Sequence, residues 1–274
     1  MKSIKGVKVA DVVSVYSSAQ GDLFQLMFGQ QIHVGGMKAS IDLADRAGIK
    51  AGMKGVDLCC CNGGDMRFLV RFRNVASMIG VDVTEAIVER GRRLTHEEGL
   101  DDKIRFILAD ARESGLPSAS ADFIWSEDAW CYVPDKPKLI AEAARIVRPG
   151  GVIAFTDWVE GPAGLSDSEA QRFLGIMMFA NVEDIAGYAK LLSANGCEVR
   201  VAEDTGRFSR YVDLYLDMIE MQLRYDALRI VGFSTELLDA LIDGFRFIGE
   251  MARAGKIAQA RFIARRGCRR NSLN

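Results

Sequence analysis

The stretch Val56-Asp57-Leu58-Cys59-Cys60-Cys61-Asn62-Gly63-Gly64-Asp65 decides the fold. Its apolar beginning is typical of a buried strand, and its end is typical of a turn into a helix. In an open α/β sheet, ligands bind outside the carboxyl ends of the strands, so we predict that this turn contacts a ligand. From Asp57 to Gly63 the stretch has the spacing of an acid-x-G-x-G-x-G loop, in which Cys59 and Cys61 replace two glycines.

Short apolar runs alternate with helical patterns after Gly55. The pattern predicts strands at 56–60, 76–81, 104–109, 123–126 and 152–156, and helices at 65–73, 84–99 and 136–147. We expect Thr84 to cap the second helix, and Arg148-Pro149-Gly150-Gly151 to end the third. Such β–α–β alternation predicts an α/β fold with a mostly parallel sheet and helices on both faces.

The pattern changes after Trp158. It predicts helices at 166–180, 182–195 and 211–253, the last broken near Gly232, and strands at 197–203 and 256–265. We therefore divide the chain into an N-terminal lid segment (1–50), a cofactor-binding core (51–157), a helical cap with one core helix and strand (158–255), and a final strand with a basic tail (256–274). The cap is expected to cover the ligand edge of the sheet.

Composition argues against several classes of function. The 274 residues include 35 basic and 37 acidic side chains, so the chain lacks the basic footprint of a nucleic-acid binder. Six cysteines, three of them adjacent, lack the C-x₂-C spacing of metal sites and are expected to be free thiols. The start of the chain lacks a signal peptide's apolar region, and no apolar run approaches about 18 residues. We expect a cytoplasmic protein without metal or membrane insertion.

Acidic residues follow the predicted strands at the same edge. Asp82 ends the second strand, where a carboxylate can accept hydrogen bonds from both hydroxyls of a ribose. Asp110 ends the third strand, where it can meet the amino group of an adenine. The fourth strand brings Glu127 and Tyr132 to this edge.

The cysteine-rich turn and the ends of the next three strands, in this order, resemble the class I S-adenosylmethionine (SAM) methyltransferases. The resemblance runs over about Met53 to Asp157. A nicotinamide enzyme would instead be expected to carry G-x-G-x-x-G, which this chain lacks. The resemblance implies a Rossmann-like, seven-stranded, mostly parallel sheet with a helical cap, and SAM as cofactor with S-adenosylhomocysteine as product. It also implies which residues bind SAM: Tyr16, Asp57, Cys59, Cys61, Gly63, Asp82, Val83, Asp110, Ala111 and Glu127.

Within that superfamily, the segments 15–18 and 28–36 resemble the entry segment of small-molecule methyltransferases such as the sarcosine and dimethylglycine N-methyltransferases. The likeness implies that Tyr16 reaches the SAM carboxylate and that the segment around His33 closes over the methyl group. Many relatives carry a histidine base where this chain has Tyr132, and Asp157 matches an acidic position that accompanies it. Tyrosine does not titrate near neutrality, so His33 becomes the candidate base. We predict that His33, Tyr132 and Asp157 face the acceptor.

The function predicted from the sequence is SAM-dependent methyl transfer to a small molecule. The donor is already activated by its positive charge, so the protein must mainly align donor and acceptor and exclude water. An amine nitrogen is the favoured acceptor. Two alternatives are C- or O-methylation of a natural product or lipid-like acceptor, and a SAM-binding protein with altered or lost transfer activity. An oligomer is possible.

The backbone of the cysteine-rich turn can also be predicted. A non-glycine residue with a left-handed backbone costs of order 1 to 3 kcal/mol. We therefore expect Cys59 and Cys61 to keep negative φ, and Gly63 or Gly64 to make the sharp turn.

Overall fold

Nine strands and eleven α-helices lie in residues 1–268, the part of the chain that the computed structural model describes. The last residues of the predicted basic tail, 269–274, lie outside the described residues. The strands are β1 Lys2–Ser3, β2 Lys54–Leu58, β3 Ser77–Asp82, β4 Ile104–Leu108, β5 Ala121–Glu127, β6 Val147–Glu160, β7 Asn181–Val182, β8 Cys197–Asp204 and β9 Ile257–Arg266. The α-helices are α1 Val9–Tyr16, α2 Ala19–Phe28, α3 Gly36–Ala47, α4 Gly64–Arg73, α5 Glu85–Glu97, α6 Lys136–Ile146, α7 Asp167–Met177, α8 Ile185–Ala194, α9 Phe208–Asp217, α10 Arg224–Ile230 and α11 Thr235–Arg253.

Seven strands form one sheet in the order β4-β3-β2-β5-β6-β9-β8. The strands pair in parallel from β4 to β6, and β9 runs antiparallel to both of its neighbours. The predicted seven-stranded, mostly parallel sheet is thereby confirmed. The strand order reverses between β2 and β5, and in such sheets ligands bind outside the carboxyl ends of the strands at this point.

The N-terminal segment and the C-terminal helices pack together over that edge. Buried side chains of α1 and α2, including Phe24, share one apolar cluster with Phe173 of α7, Val212 of α9 and Ile248 of α11. Burial of a large apolar side chain contributes about 1.5 to 3 kcal/mol, so this shared cluster stabilises both segments. The N-terminal lid segment and the helical cap thus pack together over the sheet.

Several boundaries differ from the predicted ones for local reasons. α7 ends at Met177 because Met178 takes a left-handed backbone, with φ of 54°. α8 begins at Ile185 because the Asp184 side chain accepts the N–H of Gly187 and caps the helix. The predicted long helix at 211–253 divides into α9, a π-helical turn at Met218–Gln222, α10 and α11. Thr84 precedes α5 as predicted, but its side chain makes no capping hydrogen bond.

The backbone of the turn after β2 contradicts our prediction for the cysteines. Cys59 has φ of 69° and Cys61 has φ of 48°, so both are left-handed, as is Gly63 with φ of 76°. Hydrogen bonds to β3 hold this geometry, because the N–H of Cys59 reaches the carbonyl of Val81 at 2.8 Å. The N–H of Cys61 reaches a carboxylate oxygen of Asp82 at 2.9 Å. Strain of this kind persists where the surroundings over-determine it.

A pair of substitutions tests the strain at Cys61. A left-handed residue other than glycine costs about 1 to 2 kcal/mol, so Cys61→Gly should be more stable than Cys61→Ala by about that amount. Cys131 is the matched control, because it is buried and its φ is not positive. There the alanine variant should be the more stable one, by about 0.5 to 1 kcal/mol. Urea unfolding of the four variants measures both differences, and the same order at both positions would contradict the assignment.

Candidate active site

An open cavity of about 950 Å³ lies at the carboxyl ends of β2, β3 and β5. The turn after β2, the end of β3 and the segment after β5 supply most of its wall. The predicted site residues that line it are Tyr16, Asp57, Cys59, Cys61, Asp82, Val83, Asp110, Ala111, Glu127 and Tyr132. The structure therefore brings together ten of the thirteen predicted positions, which come from five separate parts of the chain.

The other three positions have different surroundings. Gly63 makes the turn behind the wall, where a Cβ would come within 2.5 Å of the Phe106 ring. His33 lines a second, adjoining chamber. Asp157 lines neither space.

The carboxylate of Asp82 is oriented by backbone groups. One oxygen accepts the N–H of Cys61 at 2.9 Å, and the other accepts the N–H of Thr84 at 2.9 Å. Burial raises the pKa of Asp82, and these backbone hydrogen bonds oppose the shift. Each carboxylate oxygen can accept more than one hydrogen bond, so Asp82 keeps acceptor capacity on the cavity side.

Asp110 is already paired. The guanidinium of Arg112 donates to both carboxylate oxygens, at 3.0 Å from Nε and 2.6 Å from a terminal nitrogen. These bonds lower the pKa of Asp110. Arg112, which was not predicted, also lines the cavity and is its only lysine or arginine within residues 1–268.

The cavity has an excess of negative charge. Its lining carboxyl groups belong to Asp57, Asp65, Asp82, Asp110, Glu127 and Asp128. Burial raises the pKa of Asp57 well above its usual range, and the carboxyls of Asp65 and Glu127 raise it further. Both oxygens of Glu127 are buried and lack a hydrogen-bond partner among the described residues. An unpartnered buried polar group is costly, so a cationic ligand here would be stabilising.

His33 lies between two of these carboxyl groups. Its Nε2 is 3.3 Å from a carboxylate oxygen of Asp65 and 3.1 Å from the hydroxyl of Ser40. Its Nδ1 is 3.5 Å from a carboxylate oxygen of Glu127. Burial alone lowers the pKa of His33, but the carboxylates of Glu127 and Asp65 outweigh burial and raise it above its usual value. Both ring nitrogens therefore face groups of the protein, and this geometry argues against the predicted role of His33 as a base.

The spacing of His33, Asp65 and Glu127 also bears on metal binding. One ligand atom from each lies within 4.8 Å of the others. However, opposite ring nitrogens of His33 face the two carboxylates, whereas a bound ion would need one nitrogen directed to the same point as both. The arrangement is that of an imidazole ring between two carboxyl groups.

A smaller, partly open chamber adjoins the cavity. It shares Tyr16, Ile32, Asp128 and Tyr132 with the cavity wall. The rings of Tyr16 and Tyr132 meet edge to face at the junction, with centroids 5.3 Å apart. The remaining lining residues are Phe24, Phe28, His33, Val34, Trp158, Met177 and Phe179. The chamber is therefore mainly aromatic.

Asp128 was not predicted, although it stands where the two spaces meet. Its backbone is left-handed, with φ of 52°. Its buried carboxylate accepts hydrogen bonds from the N–H of Val34 at 2.8 Å, the hydroxyl of Thr156 at 2.9 Å and the amide of Gln259 at 2.7 Å. A sequence signal existed, because Asp128 follows β5 just as other acids end β3 and β4.

The expectation that Asp157 faces the acceptor is not met. β6 continues to Glu160, so Asp157 lies inside the strand instead of after it, and it is fully buried. It accepts hydrogen bonds from the backbone N–H of Cys131, at 3.0 Å, and from the hydroxyl of Tyr188. Burial raises the pKa of Asp157 to about 6. Asp157 therefore stabilises the turn that carries Tyr132.

Comparison with known proteins identifies the family. A family model described as "Methyltransferase domain" matches residues 56–155. The 27-O-demethylrifamycin SV methyltransferase of Amycolatopsis mediterranei is 32% identical over 207 residues, which cover 70% of this chain and 75% of that protein. The chain belongs to the SAM-dependent methyltransferases. This methyltransferase acts on small-molecule acceptors, as its relatives do, and its cofactor is SAM.

Two further relatives show the range of this family. Phosphoethanolamine N-methyltransferase 3 of Arabidopsis thaliana is 26% identical over 89% of this chain, which spans only 48% of that protein. A solved structure from Galdieria sulphuraria, described as a sarcosine dimethylglycine methyltransferase, is 26% identical with a TM-score of 0.75. The match covers 84% of this chain and 86% of that one. Within residues 1–268, no helix is apolar over the length that crossing a membrane requires.

The excess of carboxyl groups predicts a pH dependence of SAM binding. Burial raises the pKa of Glu127 to about 8, so part of the population carries a proton there at pH 7. A cation nearby lowers that pKa, so binding should release protons, and affinity should rise as pH rises through neutrality. Calorimetry at pH 7 in two buffers of different ionisation enthalpy measures the release. Glu127→Gln should release fewer protons, and a binding enthalpy independent of buffer would contradict the prediction.

Proposed function

We propose that this methyltransferase transfers the SAM methyl group to an amine nitrogen of a small molecule held in the aromatic chamber. One observation carries the proposal: the carboxylate of Asp128 lies where the chamber meets the cofactor cavity. An amine arriving as a cation is matched there by a carboxylate and by aromatic rings, and both interactions favour cations.

The cavity fits SAM in its charge and its acceptor groups. SAM carries a sulfonium and an ammonium. Neither oxygen of Glu127 accepts a hydrogen bond from the described residues, although one lies 3.5 Å from Nδ1 of His33, and the wall has an excess of carboxyl groups. We assign Asp82 and Val83 to the ribose, and Asp110 and Ala111 to the adenine end, where Arg112 holds the carboxylate. The methionine portion is assigned to Tyr16, Asp57, Cys59, Cys61, Gly63 and Glu127.

The residues of this chain align the reactants and manage the proton. When bound, SAM supplies an electrophilic methyl group, which the lone pair of the acceptor nitrogen takes as the carbon–sulfur bond breaks. Tyr16 and Tyr132 lie at the junction and hold the acceptor in line with that bond. Asp128 accepts the proton that an incoming ammonium must lose. We assign His33 to positioning Glu127, since its own nitrogens face carboxyl groups.

Oxygen methylation is the second candidate. It is favoured by the relative from Amycolatopsis mediterranei, whose name refers to an O-demethylated rifamycin. An oxygen acceptor needs a base to take its proton, and His33 is a poor one because its ring nitrogens face Asp65 and Glu127. Asp128 can accept a proton from either kind of acceptor, but only a cationic amine also gains from pairing with this carboxylate and with the aromatic rings. The amine therefore remains the favoured acceptor.

A cytoplasmic location is part of the proposal. It is supported by the six cysteines, all of which are free thiols. Free thiols are typical of reducing compartments.

The assignment of Asp82 predicts a loss of SAM affinity in Asp82→Ala. Hydrogen bonds to a charged group contribute about 1.5 to 3 kcal/mol each, so removing the carboxylate should weaken binding by roughly ten- to a hundredfold. Asp102→Ala is the matched control, because Asp102 is exposed and lies outside the cavity. Calorimetry with SAM and with S-adenosylhomocysteine measures both variants. Unchanged affinity in Asp82→Ala would contradict the ribose assignment.

The amine assignment predicts a loss of amine turnover in Asp128→Asn. Removing one partner of a buried charge pair costs about 2 to 5 kcal/mol, so kcat/KM for an amine should fall at least thirtyfold. Gln259→Leu is the matched control, because it removes hydrogen bonds to Asp128 but keeps the charge, and its loss should be clearly smaller. A panel of amines, phenols and prenyl acceptors with labelled SAM measures the preference. Turnover of phenols with silent amines would favour the oxygen alternative.

A further inference from the structure

We propose that the amine acceptor carries no anionic group, and that the chamber selects a small amine with an apolar or aromatic body. This inference rests on the amine acceptor proposed above and narrows it. It separates this chain from enzymes whose acceptors, such as phosphoethanolamine or sarcosine, bear a phosphate or a carboxylate.

The chamber wall carries few charged groups. None of the residues that line the chamber, within the described part of the chain, is a lysine or an arginine. Its charged groups are the Asp128 carboxylate and His33. The ring nitrogens of His33 face Asp65 and Glu127, so they are not directed at a substrate. An anion placed here would meet a carboxylate and have no cation to pair with.

Three cations on neighbouring elements are engaged in other contacts. Arg112 is paired with Asp110 at the adenine end of the cavity. The Lys136 ammonium is buried and donates to the backbone carbonyls of Cys131 and Val133. Arg207 donates to Asp42 at 3.1 Å. Recruiting any of them for a phosphate or carboxylate would break a hydrogen-bonded pair.

The wall of the chamber is mainly aromatic. The aromatic side chains on its wall are Tyr16, Phe24, Phe28, Tyr132, Trp158 and Phe179. Such walls favour apolar groups and cations and disfavour anions, because the faces of aromatic rings are negative. An amine with an apolar or aromatic body matches this wall.

The test uses acceptors that differ only in an anionic group. N-Methyl-2-phenylethylamine is compared with N-methylphenylalanine, and N-methylethanolamine with its phosphate ester, using the intact protein and labelled SAM. We expect kcat/KM to be at least a hundredfold higher for the member of each pair without the anion. Equal or better turnover of the anionic members would overturn the inference and leave the amine function intact. Turnover of no amine at all would remove the proposed function, and the inference with it.

A change in the wall provides a second, independent measurement. Phe28 is only partly buried at the end of α2, so a lysine there can be accommodated. Phe28→Lys should shift the ratio of kcat/KM within each pair by at least tenfold toward the anionic member. Phe28→Met is the matched neutral control and should keep the original ratio. An equal shift in both variants would show that the preference does not depend on wall charge, and would overturn the inference.

Discussion

The carboxylate of Asp128 is the contact on which the two ligand spaces depend. It joins the N-terminal segment at Val34 to β6 at Thr156 and to β9 at Gln259. A left-handed backbone at a non-glycine residue costs about 1 to 2 kcal/mol. Each hydrogen bond to a charged group contributes about 1.5 to 3 kcal/mol, so three of them outweigh the strain. Because the carboxylate holds the N-terminal segment against the sheet, the cavity and the chamber have a common wall.

The same edge of the sheet holds buried carboxyl groups that the described residues do not fully hydrogen-bond. Burial raises the pKa of Asp57, and Glu127 has two buried oxygens without a partner among the described residues. Such groups lower the stability of the free protein but favour a cationic cofactor. Natural proteins commonly lose some stability at functional sites, because the groups that bind a ligand there are not the most stabilising ones. The strained turn at Cys59 and Cys61 lies at the same edge, and hydrogen bonds to β3 hold it.

The sequence predicted those parts of the site that depend on strand ends alone. Carboxyl ends of parallel strands meet at one edge whatever the details of packing, so Asp57, Asp82 and Asp110 were expected together and do line one cavity. Asp157 was misplaced because β6 runs four residues further than the apolar pattern indicated, which turns its side chain toward Tyr188. The left-handed backbone of Cys59 and Cys61 could not be predicted, because the hydrogen bonds that hold it are made to another strand.

The sequence by itself determined the fold class, the family and the cofactor. Periodic apolar runs and acids at strand ends are local patterns, and they persist in any packing of the same elements. Only the tertiary structure decided the contacts of His33, the hydrogen bonds of Asp128 and the aromatic chamber. Each of these depends on groups more than a hundred residues apart, or on the burial that changes a pKa, and neither is written in a local pattern.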